Sequence, residues 1–202
     1  IELGIDIWSP ALKTFKKNHS YSQTVCGNLS EINPSNIENK YLQNGIDIII
    51  GGPPCQGFSI SGKRDINDPR NKLYQSFVSY VEHFKPKAFI MENVPNLVSM
   101  NKGLVKDEII KEFKSIGYHV TYKTLLASDF GVPQNRKRVF FIGLLSDKKD
   151  FLFPCSTHFE NKVTSSQAIS DLPEFEVANG SNYVAEYQSN YQKAIRNKSE
   201  GI

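Results

Sequence analysis

The chain has 202 residues, 39% of them hydrophobic, and its 24 Lys and Arg against 21 Asp and Glu leave a formal charge of +3. That length holds one domain with a substantial core, the apolar share excludes a disordered chain, and the balanced charge confines any nucleic-acid surface to a local patch. No apolar run approaches the roughly 20 residues that span a bilayer. No basic start or cleavage site marks a signal peptide, and Cys26, Cys55 and Cys155 are too widely spaced for a zinc site or a disulfide framework. A soluble protein of a reducing cytoplasm, without metal or membrane, is expected.

Residues 1–6 form a short apolar run ending on Asp6, and residues 10–18 read as a helix with Pro10 in its first turn and Ala11, Leu12 and Phe15 on one face. Residues 47–51 (DIIIG) have the pattern of a fully buried strand and run into Gly-Gly-Pro-Pro. Helical spacing follows over 72–84 through Leu73, Phe77, Val81 and Phe84, then a second buried strand over 87–92 (KAFIME). Residues 104–116 predict a helix stopped by Gly117 as its C′ glycine. Strands are expected over 119–126 and 138–145 (RVFFIGLL), and a short helix over 165–172; the tail over 174–202 is polar. Strands alternating with helices imply an α/β domain with a largely parallel sheet covered on both faces. Ligands in such folds sit at the carboxyl ends of the strands, here after Asp6, after Ile50 and after Met91.

Three segments at those ends carry chemistry. Gly51-Gly52-Pro53-Pro54-Cys55-Gln56-Gly57-Phe58-Ser59 holds a thiol in a rigid loop just past a strand. A lone Cys is most often a small buried hydrophobe, but a Pro-Pro corner at a ligand-binding edge is poor packing material. An ordinary thiol is only about a tenth ionised near pH 7.5, so a nucleophilic Cys55 needs positive charge or amide donors nearby. Glu92, ending the next strand in Met91-Glu92-Asn93-Val94-Pro95, either caps a turn or pairs with an Arg, or is a candidate acid beside the thiol. Partial desolvation there would let it hold or share a proton. In Gly131-Val132-Pro133-Gln134-Asn135-Arg136-Lys137-Arg138, a strand alternation extended backwards puts Gln134, Arg136 and Arg138 on one face. That face is either a solvated basic turn or a grip for phosphate or a base carbonyl.

Pro53-Pro54-Cys55-Gln56, Glu92-Asn93-Val94 and Gln134-x-Arg136-x-Arg138 occur in this order, each beside a strand, with Asp68-Pro69-Arg70-Asn71 and Asp129-Phe130-Gly131-Val132-Pro133 around them. The chain thereby resembles the bacterial cytosine-C5 DNA methyltransferases. The resemblance implies a Rossmann-like class I methyltransferase fold and transfer of a methyl group from S-adenosylmethionine to C5 of a flipped-out cytosine in double-stranded DNA. It also implies a cognate restriction endonuclease as partner in a bacterial cytoplasm. By the same resemblance, Cys55 is the nucleophile on C6, Glu92 binds N3 and the exocyclic amine, Arg138 holds the O2 side, and Arg136 adds positive charge. Pro54, Gln56, Ser59, Ser61 and Gln134 lie at the substrate. Asp6 takes the ribose hydroxyls of the cofactor, Ile7 packs on its adenine, Asn28 meets the adenine amine, and Leu29, Pro53 and Leu73 line the pocket.

The family usually has Glu at the position of Asp6 and Asp at that of Asn28. Residues 1–160 read as the catalytic domain and 161–202 as a polar segment leading toward a target-recognition domain, which lies outside the chain together with the family's opening strand and Phe-x-Gly-x-Gly loop. Three other readings stand beside this one: an RNA-directed methyltransferase of the same family, a silent scaffold, and a thiol hydrolase, for which none of the four His residues is placed as a base.

Overall fold

The computed structural model describes residues 1–42, 45–54, 72–145, 149–172 and 186–196. Contacts divide the chain into a first unit, Ile1–Thr124 with Val139–Phe153, and a second, Leu125–Arg138 with Pro154–Ile202. Among the described residues the strands are β1 (Leu3–Asp6), β2 (Gln23–Cys26), β3 (Ile48–Gly51), β4 (Ala88–Asn93), β5 (Tyr118–Leu126) and β6 (Lys137–Leu145). The helices are α1 (Ser9–Asn18), α2 (Pro34–Tyr41), α3 (Lys72–Phe84), α4 (Asn96–Ser99), α5 (Leu104–Ser115), α6 (Ser165–Ile169) and α7 (Asn190–Arg196).

In the first unit β1 pairs in parallel with β2, Asp6 opposite Cys26. A separate sheet has the order β3-β4-β6-β5. There β3 runs parallel to β4 with Gly51 opposite Met91, and β4 runs antiparallel to β6 with Glu92 opposite Phe140. The parallel registers bring the carboxyl ends of β3 and β4 level, which places Gly52-Pro53 beside Glu92-Asn93.

The core follows from the alternation of β4, where Phe89, Met91 and Asn93 are buried and Ala88, Ile90 and Glu92 are only partly so. Against the buried face pack Tyr74, Phe77, Val78 and Val81 of α3, spaced for one helical stripe, and Val105, Ile109 and Phe113 of α5. The Phe89 ring lies 4.1 Å from that of Phe113 and 5.3 Å from that of Tyr118 between centroids. Gly143 of β6 makes room for it: a Cβ there would stand 2.0 Å from Phe89 Cε1. A smaller cluster joins Ile37, Leu42 and Tyr80 to Leu3, Ile5 and Val25 of the β1–β2 pair. α5 ends as its sequence predicts, with Gly117 at φ 99° just past the last turn.

Tyr118 is 1% exposed and donates its hydroxyl to the Pro86 carbonyl at 2.7 Å, and burial pushes its pKa up to about 12. Between the ordinary Tyr value and that one, the unfolded chain has lost a proton that the folded chain keeps, so raising the pH favours unfolding. Stability should fall by roughly 2–3 kcal/mol across about pH 10 to 12. Denaturant titrations of wild type and Tyr118→Phe over this range should differ in slope, the variant lacking this component; equal slopes would refute the assignment.

In the second unit a 3-10 turn over Ala127–Phe130 leads to Gly131. α6 starts with a capping box between Thr164 and Gln167, and α7 is tied to it by the Arg196–Asp171 ion pair and by the fully buried Gln192. Gln192 accepts from the Gln188 N–H at 2.6 Å and donates to Ser170 Oγ at 3.1 Å.

Two expectations change. Residues 47–51 do not form a strand buried on both faces: Ile49 packs on the core, but Ile48 and Ile50 are 53% and 72% exposed. Among the described residues β3 is the terminal strand of its sheet, and nothing covers the face that carries these two side chains. The strand alternation also does not extend back from β6 through Gln134. β6 begins at Lys137, and the N–H groups of Gln134 and Arg136 donate to the carbonyls two residues earlier, at 2.7 and 2.9 Å. These are tight three-residue turns, not strand.

Candidate active site

The carboxyl ends of β3 and β4 meet through one buried hydrogen bond. Asn93 Nδ2 donates to the Pro53 carbonyl at 2.8 Å, and Asn93 Oδ1 accepts from the Val94 N–H at 3.0 Å. The amide thus spends both ends on fixing backbone, and the start of the Pro-Pro loop is held to the neighbouring strand. Sequence reading named Asn93 only as part of a motif. Its position beside a carboxylate, one strand from a loop whose prolines have no N–H to anchor them, is the signal that marks it.

Glu92 lies on the opposite face of β4 from Asn93, half-buried. Its Oε2 comes within 3.5 Å of where a Cβ on Gly52 would be, so the carboxylate stands over the beginning of the loop. Pro53 is buried and Pro54 exposed. Cys55, Gln56, Ser59 and Ser61 lie outside the described residues. The glycine at 51 is a packing requirement as well: a Cβ there would meet the Phe77 ring at 2.7 Å. What the described part offers is a fixed carboxylate above a loop whose next residue is a thiol.

The ends of β1 and β2 form a second cluster. Asp6 is exposed, and its Oδ1 accepts from the Trp8 N–H at 2.7 Å, which turns the chain sharply after the strand. Ile7 and Trp8 follow with 70% and 65% of their surface exposed. A carboxylate flanked by uncovered apolar side chains at the end of a parallel strand fits a nucleoside, with the diol on the acid and the base on the apolar faces. Trp8 was not singled out by sequence, although a Trp directly after Asp-Ile at a strand end is the sign to look for.

Asn28 is committed locally. Its Oδ1 accepts from both Ser30 N–H (3.1 Å) and Ser30 Oγ (2.9 Å), and its Nδ2 donates to Glu31 Oε1 at 2.8 Å. With both carbonyl lone pairs in use, binding an adenine amine requires Ser30 to give way. Leu29 lines a cavity of about 750 Å³ together with Ile32, Lys72, Tyr80 and His83. Leu73, at the start of α3, is partly buried.

Gln134 and Arg136 are exposed and Arg138 is partly buried; Arg138 donates to the Lys137 carbonyl at 2.7 Å. All three belong to the second unit. Among the described residues no group of three or more His, Cys, Asp or Glu could hold a metal ion, and no helix is long and apolar enough to cross a membrane.

A family model described as C-5 cytosine-specific DNA methylase matches residues 1–201. The Type II methyltransferase M.DdeI of Desulfomicrobium norvegicum is 42% identical, over 96% of this chain and 48% of the relative. M1.HphI of Haemophilus parahaemolyticus is 37% identical, over 89% of this chain and 48% of the relative. A solved structure of a candidate DNA modification methyltransferase encoded within an Escherichia coli prophage superposes with a TM-score of 0.70 at 31% identity. It covers 87% of this chain and 49% of that one. The chain spans about half the length of these relatives.

Proposed function

Because this chain belongs to the C-5 cytosine-specific DNA methylase family, we propose that it carries the catalytic residues of an enzyme that methylates C5 of cytosine in double-stranded DNA, with S-adenosylmethionine as donor and Cys55 as nucleophile. The observation that carries this reading is the junction of β3 and β4, where Asn93 anchors the Pro53 carbonyl at 2.8 Å and Glu92 stands over Gly52.

Carbon 5 of cytosine is a poor nucleophile. Addition of the Cys55 thiolate to C6 turns the ring into an enamine, and Glu92 stabilises it by holding a proton on N3. Arg138 grips O2, with Arg136 adding positive charge and Gln134 beside them, while the Pro54 carbonyl accepts from the exocyclic amine. S-adenosylmethionine, when bound, supplies an electrophilic methyl group, and Asp6, Ile7 and Trp8 are suited to orient its nucleoside, with Leu29, Pro53 and Leu73 lining the pocket. Once C5 is methylated its proton passes to water, the C5–C6 double bond re-forms as the bond from C6 to sulfur breaks, and Cys55 leaves as thiolate. None of these ring atoms is reachable within a duplex, so the base is flipped out at a cost of a few kcal/mol. We assign the enzyme to a bacterial restriction–modification system, with a cognate endonuclease as its counterpart.

The test uses the full-length protein, S-adenosylmethionine and duplex DNA carrying 5-fluorocytosine. Fluorine cannot leave C5 as a proton does, so the enzyme should trap itself in a denaturation-resistant adduct whose cross-linked peptide contains Cys55. A matched 5-fluorocytosine tRNA should give none. Cofactor binding without any adduct on DNA would overturn the proposal, and an adduct on tRNA alone would move the activity to RNA.

A further inference from the structure

Segment 157–162 is fastened to the turn that precedes the basic residues. The N–H groups of Thr157 and His158 both donate to the Asp129 carbonyl, at 3.0 and 2.8 Å. Lys162 Nζ forms an ion pair with Asp129 Oδ1 at 3.0 Å. The His158 ring lies over Gly131, where a Cβ would meet its Cε1 at 2.9 Å and both ring nitrogens within 3.2 Å. Thr157 Oγ1, 2.8 Å from His158 Nδ1, fixes the ring's rotation. Gly131 is itself held at φ 85°, a conformation that side chains rarely adopt.

From Gly131 the backbone closes a ring of its own. Val132 N–H donates to the Ala127 carbonyl at 3.3 Å, the turns at Gln134 and Arg136 follow, and Ala127 N–H donates to the Arg136 carbonyl at 2.9 Å. The loop that presents Gln134 and Arg136 and leads into Arg138 is thus closed at its base by Ala127 and clamped at Asp129 and Gly131 by the later segment.

We propose that His158 is a positioning residue for the basic loop: by packing its ring on Gly131 it fixes the backbone that carries Gln134 and Arg136 and leads into Arg138. This rests on the reading that those three side chains face the target base. Loss of the ring lets the Gly131 turn shift, and a displacement of about 1 Å at reacting groups can cost on the order of 10²-fold in rate.

The full-length enzyme, unmethylated genomic DNA and tritiated S-adenosylmethionine provide the test. His158→Ala should lower kcat by roughly 10- to 100-fold while leaving KM for the cofactor within about twofold. His158→Phe, which keeps a flat ring over Gly131, should recover most of that loss. Gly131→Ala should be as impaired as His158→Ala or more so. An unchanged kcat in His158→Ala, or equal impairment of the Ala and Phe variants at equal melting temperature, would overturn the proposal. If His158→Ala does not fold, Thr157→Val, which frees the ring without removing it, takes its place: a lowered kcat with unchanged cofactor KM supports the role, and wild-type kinetics refute it. Arg138→Ala separates the two layers. Wild-type activity there sinks the underlying reading of the loop, whereas an inactive Arg138→Ala beside a fully active His158→Ala sinks only this inference.

Discussion

A Glu92→Gln enzyme should methylate DNA roughly 10²–10⁴-fold more slowly than wild type at saturating substrates, the range expected when a positioned acid–base group is lost. Gln has the length of Glu, and the side chain at 92 lies on the face of β4 turned away from the Phe89–Phe113 core, so the core packing and the Asn93–Pro53 link should be preserved. What disappears, on the proposed mechanism, is a group that holds a proton on N3 of cytosine when charge develops and releases it afterwards. An amide donates permanently or not at all. The loss should therefore fall in kcat, with KM for DNA and for S-adenosylmethionine near wild type, the signature of an interaction made chiefly in the transition state. Steady-state transfer of a tritiated methyl group measures both. A kcat within about tenfold of wild type would rule Glu92 out as the acid.

The largest effect on stability should come from Phe89→Ala, at roughly 3–5 kcal/mol. The ring is 0% exposed and sits among Phe77, Phe113 and Tyr118, so truncation leaves a cavity walled by other aromatic groups with no small side chain free to collapse into it. Each lost edge or stacked contact adds about 0.5–1.5 kcal/mol to the area term. Gly143→Ala attacks the same place from the other strand, since its Cβ would overlap the ring; alone it should cost about 1–3 kcal/mol through overpacking. In the double variant the new methyl group points into the space that Phe89 vacates, and the cost should be smaller than the two single penalties added together. Urea titrations of the two single variants and the double variant check this. Strict additivity would show that the ring and the glycine do not share one volume.

The parts of the fold that sequence reveals are those whose apolar residues repeat. α3, α5, β4 and β6 are legible because each turns a regular stripe or alternation toward one aromatic core. β2 and α2 are not. Gln23–Cys26 is too short to show alternation, and Pro34–Tyr41 is rich in Asn, Ser, Lys and Glu, with Ile37 buried in mid-helix; its visible mark is the Asn33-Pro34 start, where Asn33 caps the Ser35 N–H at 2.9 Å. α7 escapes for a different reason: the side chain it buries completely is Gln192, a polar residue satisfied by hydrogen bonds, and periodicity of apolar residues cannot report that. At the candidate site, Glu92 and the Pro-Pro loop are legible because strand ends in an α/β fold are where ligands bind. The course of the chain through Gln134 and Arg136 is not, because it is set by main-chain hydrogen bonds and by a histidine more than twenty residues later.

The β1–β2 pair and the β3–β4–β6–β5 sheet share no hydrogen-bonded ladder among the described residues, and terminal strand β3 carries two exposed isoleucines on one face. Such an edge is a template. Its N–H and C=O groups can recruit an extended segment from any neighbour, and its flat apolar face rewards the pairing. In a concentrated solution of this chain the most accessible neighbour is another copy, so colloidal behaviour depends on what lies along β3. A strand docked there from the same polypeptide would suppress association by occupying the edge, and a Lys at position 50 would do so by charge. The same four residues, Ile48–Gly51, lead directly into Gly52-Pro53-Pro54 at the start of the proposed catalytic loop.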